Sequence, residues 1–218
     1  MNKVDIQKSS VFPPSAVHFG GTAVIFAELK TEIVRKSIHF LVALTPSLAV
    51  FNRTFTVFFL MIGTLGYTYM EILRMSGVKV PVISSLTRMA SRTRDLGHFV
   101  LGPVTLGLGA LLALLLYPSP AASIGIYALA FGDGLASLVG KSFGKIRPAF
   151  LCGKSVEGSL ACFAAVLFCT YQVSRSFSIA LIAAFTAMAV EALPMEDYDN
   201  LALPVTVGMV AQLALQRW

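Results

Sequence analysis

Apolar residues in this chain come in long, nearly unbroken runs. They do not alternate as in half-buried strands, nor do they form the narrow stripes of soluble amphipathic helices. Seven runs stand out, at about 33–51, 54–74, 97–117, 120–140, 158–174, 176–193 and 200–217. Each approaches the ~20 residues that a helix needs to cross a bilayer core. Pro118 and Pro120 separate the third run from the fourth, and Pro194 ends the sixth. Pro204 lies inside the seventh, where a membrane bundle tolerates a kink. Residues 20–32 (GGTAVIFAELKTE) predict a helix starting at the interface. There is no clear internal repeat and no low-complexity segment. The pattern predicts an all-α, polytopic integral membrane protein of about seven transmembrane helices. Residues 1–32 are expected to form an N-terminal cytoplasmic or interfacial segment, and 33–218 a single transmembrane domain.

Composition supports that class and removes others. Of 218 residues, 56% are hydrophobic and 13% charged, about half the charged share of a soluble domain. A water-soluble globule and a disordered chain are both excluded. The net charge of +6 does not indicate a nucleic-acid partner in so apolar a chain. Cys152, Cys162 and Cys169 form no CxxC pair, so neither a disulfide framework nor a zinc site is indicated. No basic stub leads into an apolar run with a small-residue cleavage site, so a removed signal peptide is not expected.

The charges between the runs predict an orientation. Fourteen of the 17 Lys and Arg residues fall in the N-terminal segment, the loop after the second run or the loop after the fourth. Only Arg53, Arg175 and Arg217 lie on the other side. An alternating seven-span chain reproduces this, and the positive-inside rule then places the N-terminus in the cytoplasm and the C-terminus outside. Acidic residues gather in the same half. A transport path would be expected to carry polar groups across its whole length. Polar chemistry at one interface suits a reaction between a cytoplasmic solute and a molecule dissolved in the bilayer.

Asp133 is the sharpest single signal. It stands in the fourth run about seven residues from its cytoplasmic end, or ~10 Å deep at helical rise. A carboxylate there needs a partner or a task, because insertion costs about 2.5–3.5 kcal/mol. Asp133, Ala136, Gly140 and Gly144 follow at spacings that share one helix face. That face suits either helix packing or the close approach of a phosphate. The next segment, GKIRPAFLCGKSVEGS at 144–159, holds Lys145, Arg147 and Lys154 among Gly153, Ser155, Glu157 and Gly158. Cations and freed backbone amides bind phosphate, although a basic loop also serves as a topology signal or headgroup contact. Neither GKS triplet, at 140–142 or 153–155, is a P-loop. Leu135 and Pro148 occupy the positions where the first glycine belongs.

Two further clusters complete the candidates. VEALPMEDYDNLALP at 190–204 places Glu191, Glu196, Asp197 and Asp199 within nine residues, followed by Asn200. Oxygen ligands in that number fit Mg²⁺, while Asn200 also fits an ordinary helix cap. Glu32, Arg35, Lys36 and His39 share one face at the start of the first span. An ion pair and snorkelling cations account for most of that face. The loop 75–96, with Arg88, Arg92 and Arg94, reads as an interfacial stretch against anionic lipid, and Asp95 and His98 close it.

These residues resemble those of the dolichol kinases, whose CTP-binding pattern is D-x-x-A-x-x-x-G-x-x-x-G-x₈-K-K-T-x-E-G. Asp133, Ala136, Gly140 and Gly144 match, and GKSVEG (Gly153 to Gly158) follows after eight residues. Gly153 replaces the first lysine and Ser155 the threonine, keeping the hydroxyl. The wider group includes phytol and farnesol kinases and CTP-dependent diacylglycerol kinases. It is also similar in E-x-x-R-K-x-x-H (Glu32 to His39) and E-x-L-P…DN (Glu191 to Asn200). The resemblance implies a CTP-dependent lipid-alcohol kinase using Mg²⁺, in a bacterial inner membrane or its equivalent, with its site facing the cytoplasm. It implies catalytic roles for Asp133, Asp199, Lys154 and Glu191. Nucleotide contacts fall to Lys36, Ala136, Gly140, Gly144, Lys154, Ser155, Glu157 and Gly158, and metal contacts to Asp133, Asp199 and Asn200. The lipid alcohol is expected to be an isoprenoid alcohol or diacylglycerol.

Two other functions compete. A phosphatidate cytidylyltransferase uses the same nucleotide and metal, but the familiar CDP-diacylglycerol synthase signature is missing. DGLA at 133–136 is similar to CDP-alcohol phosphotransferases, whose further aspartates are absent here. A small ion or solute transporter is the non-enzymatic reading, and the one-sided charge map opposes it. The small-residue face does not by itself define a dimer.

Overall fold

A computed structural model describes residues 17–78, 80 and 97–217, with side chains from residue 29 onward except that of Phe150. The described residues form seven helices: α1 (Val17–Val42), α2 (Thr45–Met75), α3 (Gly102–Leu116), α4 (Ala121–Ser142), α5 (Val156–Ser174), α6 (Phe177–Glu191) and α7 (Asp199–Arg217). Three of them, α2, α4 and α5, are long and apolar enough to cross a membrane. The apolar helices α3 and α6 are shorter, at 15 residues each. The chain is a helical membrane protein. Arg88, Arg92, Arg94 and Asp95 lie outside the described residues.

The first apolar run proves not to be one helix. α1 continues unbroken through the expected interfacial segment to Val42, and a turn at 43–44 follows. Thr45 then opens α2, with Pro46 in its first turn, where a missing N–H does no harm. α2 breaks at Asn52, whose φ of −157° and ψ of 102° are not helical. The Asn52 carboxamide oxygen accepts from Phe55 N at 2.9 Å, which restarts the helix as a cap would. The 33–51 run therefore ends α1 and also supplies the first turns of α2.

α4 sits at the centre. Of its most apolar stretch 61% is buried, against 11% for α2. Phe51, Phe55, Phe58, Phe59 and Ile62 accordingly project outward from α2, as side chains facing lipid do. The core is built from small residues, among them Ala121, Ala128, Ala183, Ala184, Ala187 and Ala211. In a bilayer, where burial against lipid gives no hydrophobic gain, close backbone approach supplies the packing.

α7 shows how this works. Pro204 stands inside the helix without the N–H that would bond Asn200 O. α3 and α4 pack against this stretch through Gly109 and Gly125. A methyl at Gly109 would sit 3.1 Å from Pro204 Cγ, and one at Gly125 would sit 3.3 Å from Gly208 Cα.

α4 is not a regular α-helix. Residues Ala128–Asp133 form a π-helical turn between two α-helical segments. Such turns shift side chains out of the register that α-helical spacing predicts and recur at functional sites. This one ends on Asp133.

Candidate active site

α1, α4, α5 and the start of α7 converge on Asp133. α4 carries it into the bundle, where its side chain is 4% exposed. Lys36 of α1 donates to Asp133 Oδ2 from an equally buried position. His39, one turn further along α1, brings Nδ1 to 3.0 Å from the same oxygen. His39 follows Lys36 by three positions, so one helix face aims both at one carboxylate.

The rest of that face holds α1 against α4. Arg35 donates to Glu32 Oε1 at 2.8 Å, and Lys141 reaches Glu32 Oε2 at 2.6 Å. Arg35 also stands 3.9 Å from Asp197.

The loop between α4 and α5 is organised by its own backbone. Ser155 caps α5 by accepting from Gly158 N at 3.1 Å. Glu157 accepts from the amides of Lys145 (2.9 Å) and Ile146 (3.2 Å), and Val156 N donates to Ile146 O at 2.9 Å. Arg147 bonds the carbonyls of Gly153 (2.5 Å) and Gly140 (2.8 Å). Gly158 lets α5 approach α4: a methyl there would lie 2.7 Å from Ala136 O and 3.2 Å from Gly140 Cα.

Acidic groups close the site. Asp133, Glu191 and Asp199 each place a carboxylate oxygen within 4.8 Å of the others. Lys154 compensates part of this charge, standing 3.0 Å from Glu191 Oε1 and donating to the Glu191 carbonyl. Glu191 Oε2 is buried with no hydrogen-bond partner among the described residues. Three carboxylates this close repel one another unless cations stand between them. Lys36 and Lys154 engage two, and Asp199 has no ion pair within 4 Å among the described residues. A hard divalent cation binds oxygen ligands of this kind.

A cavity of about 210 Å³ opens on this group. Of the residues singled out from sequence, Asp133, Ala136, Gly140, Lys154, Ser155, Gly158, Glu191 and Asp199 line it. Arg35, Lys141, Arg147 and Glu196 line it too, giving a carboxylate floor with basic walls. Lys36 instead lies behind Asp133, and Gly144 packs against Ser155. Glu157 organises the loop, and Asn200 donates to Thr105 Oγ1 at 2.9 Å. Ser137 and Ser159, which also line the cavity, were not expected. Ser137 follows Asp133 by one turn, the only signal the sequence carries for it. His98 is exposed and offers its carbonyl to Arg74 at 2.9 Å.

The fold and cavity thus define a helical membrane protein with a buried acidic centre beside a basic, glycine-containing loop. Over 184 residues the chain is 28% identical to an uncharacterized protein of Methanocaldococcus jannaschii, covering 82% of this chain and 92% of that one. Over 106 residues it is 33% identical to a phytol kinase of Synechocystis sp., covering 44% of this chain and 46% of that enzyme. No family model and no solved structure matches the chain.

Proposed function

We propose that this protein is a membrane lipid-alcohol kinase that moves the γ-phosphate of CTP, or of another nucleoside triphosphate, to an isoprenoid alcohol or diacylglycerol. The observation that carries the reading is the meeting of Asp133, Glu191 and Asp199 in a cavity walled by Arg35, Lys141, Arg147 and Lys154. The partial similarity to a phytol kinase supports it. Phosphoryl transfer asks a protein for positioning and charge compensation more than for covalent chemistry, and these residue types supply both.

In this reading the polyphosphate lies against Gly140, Ser155, Gly158 and Lys154, where the α4–α5 approach leaves little side chain in the way. Asp133, Asp199 and the unpartnered oxygen of Glu191 suit Mg²⁺, with Asn200 anchoring the start of α7. When bound, Mg²⁺ neutralises phosphate oxygens and orients them. Arg35, Lys141 and Arg147 add positive charge at the rim. The alcohol oxygen forms a bond to the γ phosphorus as the bond to the β–γ bridging oxygen breaks. The hydroxyl proton passes to a carboxylate of this acidic group, in which Lys36 and His39 hold Asp133 in place, and the nucleoside diphosphate leaves. The proposal includes seven spans, a cytoplasmic N-terminus and a site open to the cytoplasm, as the Lys and Arg distribution favours.

The purified protein incubated with a lipid alcohol and CTP labelled at the α or the γ phosphate tests this. The kinase transfers label to lipid only from the γ position. Transfer from the α position alone, with a phosphatidate acceptor, indicates nucleotidyl transfer instead. Transfer from neither, across isoprenoid alcohols and diacylglycerol, overturns the enzymatic reading.

A further inference from the structure

A second, apolar cavity of about 640 Å³ lies between α1, α4 and α5, the three helices that also frame the polar one. On each helix the two cavities follow one another in the same order. α1 gives Arg35 to the polar cavity and then Phe40 to the apolar one, joined by Ala43 and Leu44 of the turn that follows. α5 gives Ser155 to Ser159, then Ala165 to Val173. α4, running the opposite way, gives Tyr127 to Leu135, then Asp133 to Lys141. The polar chamber therefore ends, and the apolar groove begins, at the level of Asp133.

The boundary is built from aromatic rings. Phe40 follows His39, and its ring closes on the backbone beside Asp133: a methyl at Gly134 would lie 2.7 Å from Phe40 Cε1. Phe131 extends the wall, with ring centroids 5.8 Å from Phe40 and 5.9 Å from Tyr127. Tyr127, Phe131 and Leu135 all line the groove from α4. Leu44 and Phe168 are exposed, so the groove opens on the outer face of the bundle, where hydrocarbon lies.

An apolar groove that begins where the polar chamber ends, with the Phe40 and Phe131 rings at the boundary, suits a molecule with a polar head and a long hydrocarbon chain. We infer that this groove holds the hydrocarbon chain of the substrate, places its hydroxyl at Asp133, and makes the groove residues determinants of chain length. The inference rests on the lipid-alcohol reading and narrows it. One groove receives one chain, so a single-chain alcohol is preferred to diacylglycerol.

The test has one arm that needs no catalysis. The full chain in lipid nanodiscs is irradiated with phytol carrying a diazirine at the end remote from its hydroxyl, and the labelled residues are mapped by mass spectrometry. Labelling concentrated at 40–44, 127–135 and 165–173, and competed by unmodified phytol, supports the groove. Competed labelling elsewhere, such as the exposed face of α2, overturns it.

In the kinetic arm, Cys169→Trp fills the groove, and Ala165→Leu narrows it with less disturbance. Excluding two methylenes raises KM for phytol about tenfold and leaves a short prenol within about twofold. Equal changes for both alcohols overturn the specificity role. Groove labelling without any phosphate transfer to phytol by the wild type supports the groove while rejecting the kinase.

Discussion

Lys36 and Asp133, 97 positions apart in the chain, form a buried ion pair that joins α1 to the end of the π-helical turn in α4. Breaking a buried pair from one side leaves the other charge unpaired, at a cost of about 3–5 kcal/mol. Lys36→Met is therefore expected to lower the unfolding temperature in detergent markedly. The double substitution Lys36→Met with Asp133→Asn is expected to recover much of that loss, because no lone charge remains. Neither variant is expected to transfer phosphate. A double variant as unstable as Lys36→Met would show that the pair does not act as a unit. An Asp133→Asn protein with wild-type transfer would remove Asp133 from the reaction.

The acidic centre predicts divalent-cation binding that is measurable without turnover. Mn²⁺ titrated calorimetrically into the metal-free protein is expected to bind at one site. Asp199→Asn removes the carboxylate that has no ion-pair partner within 4 Å among the described residues. It is expected to weaken that binding by at least about tenfold, a typical effect of changing a group that holds or orients a ligated metal. Glu157→Gln, which disturbs loop amides instead, is expected to leave it within about threefold. Equal losses in both variants would mean that the carboxylates act only through folding.

Lys154 belongs to the charge balance of the site through Glu191. Lys154→Met is expected to reduce transfer by about a hundredfold, the effect of deleting one preorganised charge at a phosphoryl-transfer centre. Lys154→Arg keeps the charge and is expected to retain much more activity. Glu191→Gln relieves the repulsion among the carboxylates and is expected to preserve folding while lowering transfer. Wild-type kcat and nucleotide KM in Lys154→Met would separate the loop from the nucleotide.

The glycines at the α4–α5 contact make a packing prediction. A methyl at Gly158 meets a backbone carbonyl and another glycine's Cα, neither of which rotates away. Gly158→Ala is thus expected to cost about 1–3 kcal/mol and to spread the two helices that shape the cavity. Among the described residues, Gly63 has nothing within 4 Å of such a methyl. Gly63→Ala is expected to stay within about 1 kcal/mol of the wild type. Comparable unfolding temperatures for the two variants would contradict the close approach.

Much of this arrangement was readable beforehand because it is local. Apolar runs report helices, and the 133–144 and 153–158 spacings report a helix face and the loop that follows it. What escaped is either long-range or a break in periodicity. No spacing rule links Lys36 or His39 to Asp133, since three-dimensional packing makes that contact. The π-helical turn at Ala128–Asp133 is invisible to a 3.6-residue reading, yet it sets where Asp133 points. The end of α1 was hidden because the 33–51 run stays apolar through the turn, and Pro46 was its one mark. The Asn200 amide nitrogen donates to Thr105 on another helix, a contact that no spacing in the sequence reports.

The proposed orientation is the last relationship open to direct measurement, and α5 provides the ruler. Cys152 is exposed just before α5, and Arg175 is exposed just after it. Cys162 is buried inside the bundle. If α5 spans the bilayer and the basic loops face the cytoplasm, a membrane-impermeant maleimide labels Cys152 in inside-out vesicles and not in right-side-out ones. Arg175→Cys, made with Cys152 changed to serine, shows the opposite pattern. Cys162 stays unlabelled in both until the protein is denatured. Labelling of positions 152 and 175 from the same face would mean that α5 does not cross. A clean reversal of the two patterns would keep the span but put the acidic cavity on the wrong side for a cytoplasmic nucleotide, because Lys154 and Cys152 belong to one short loop.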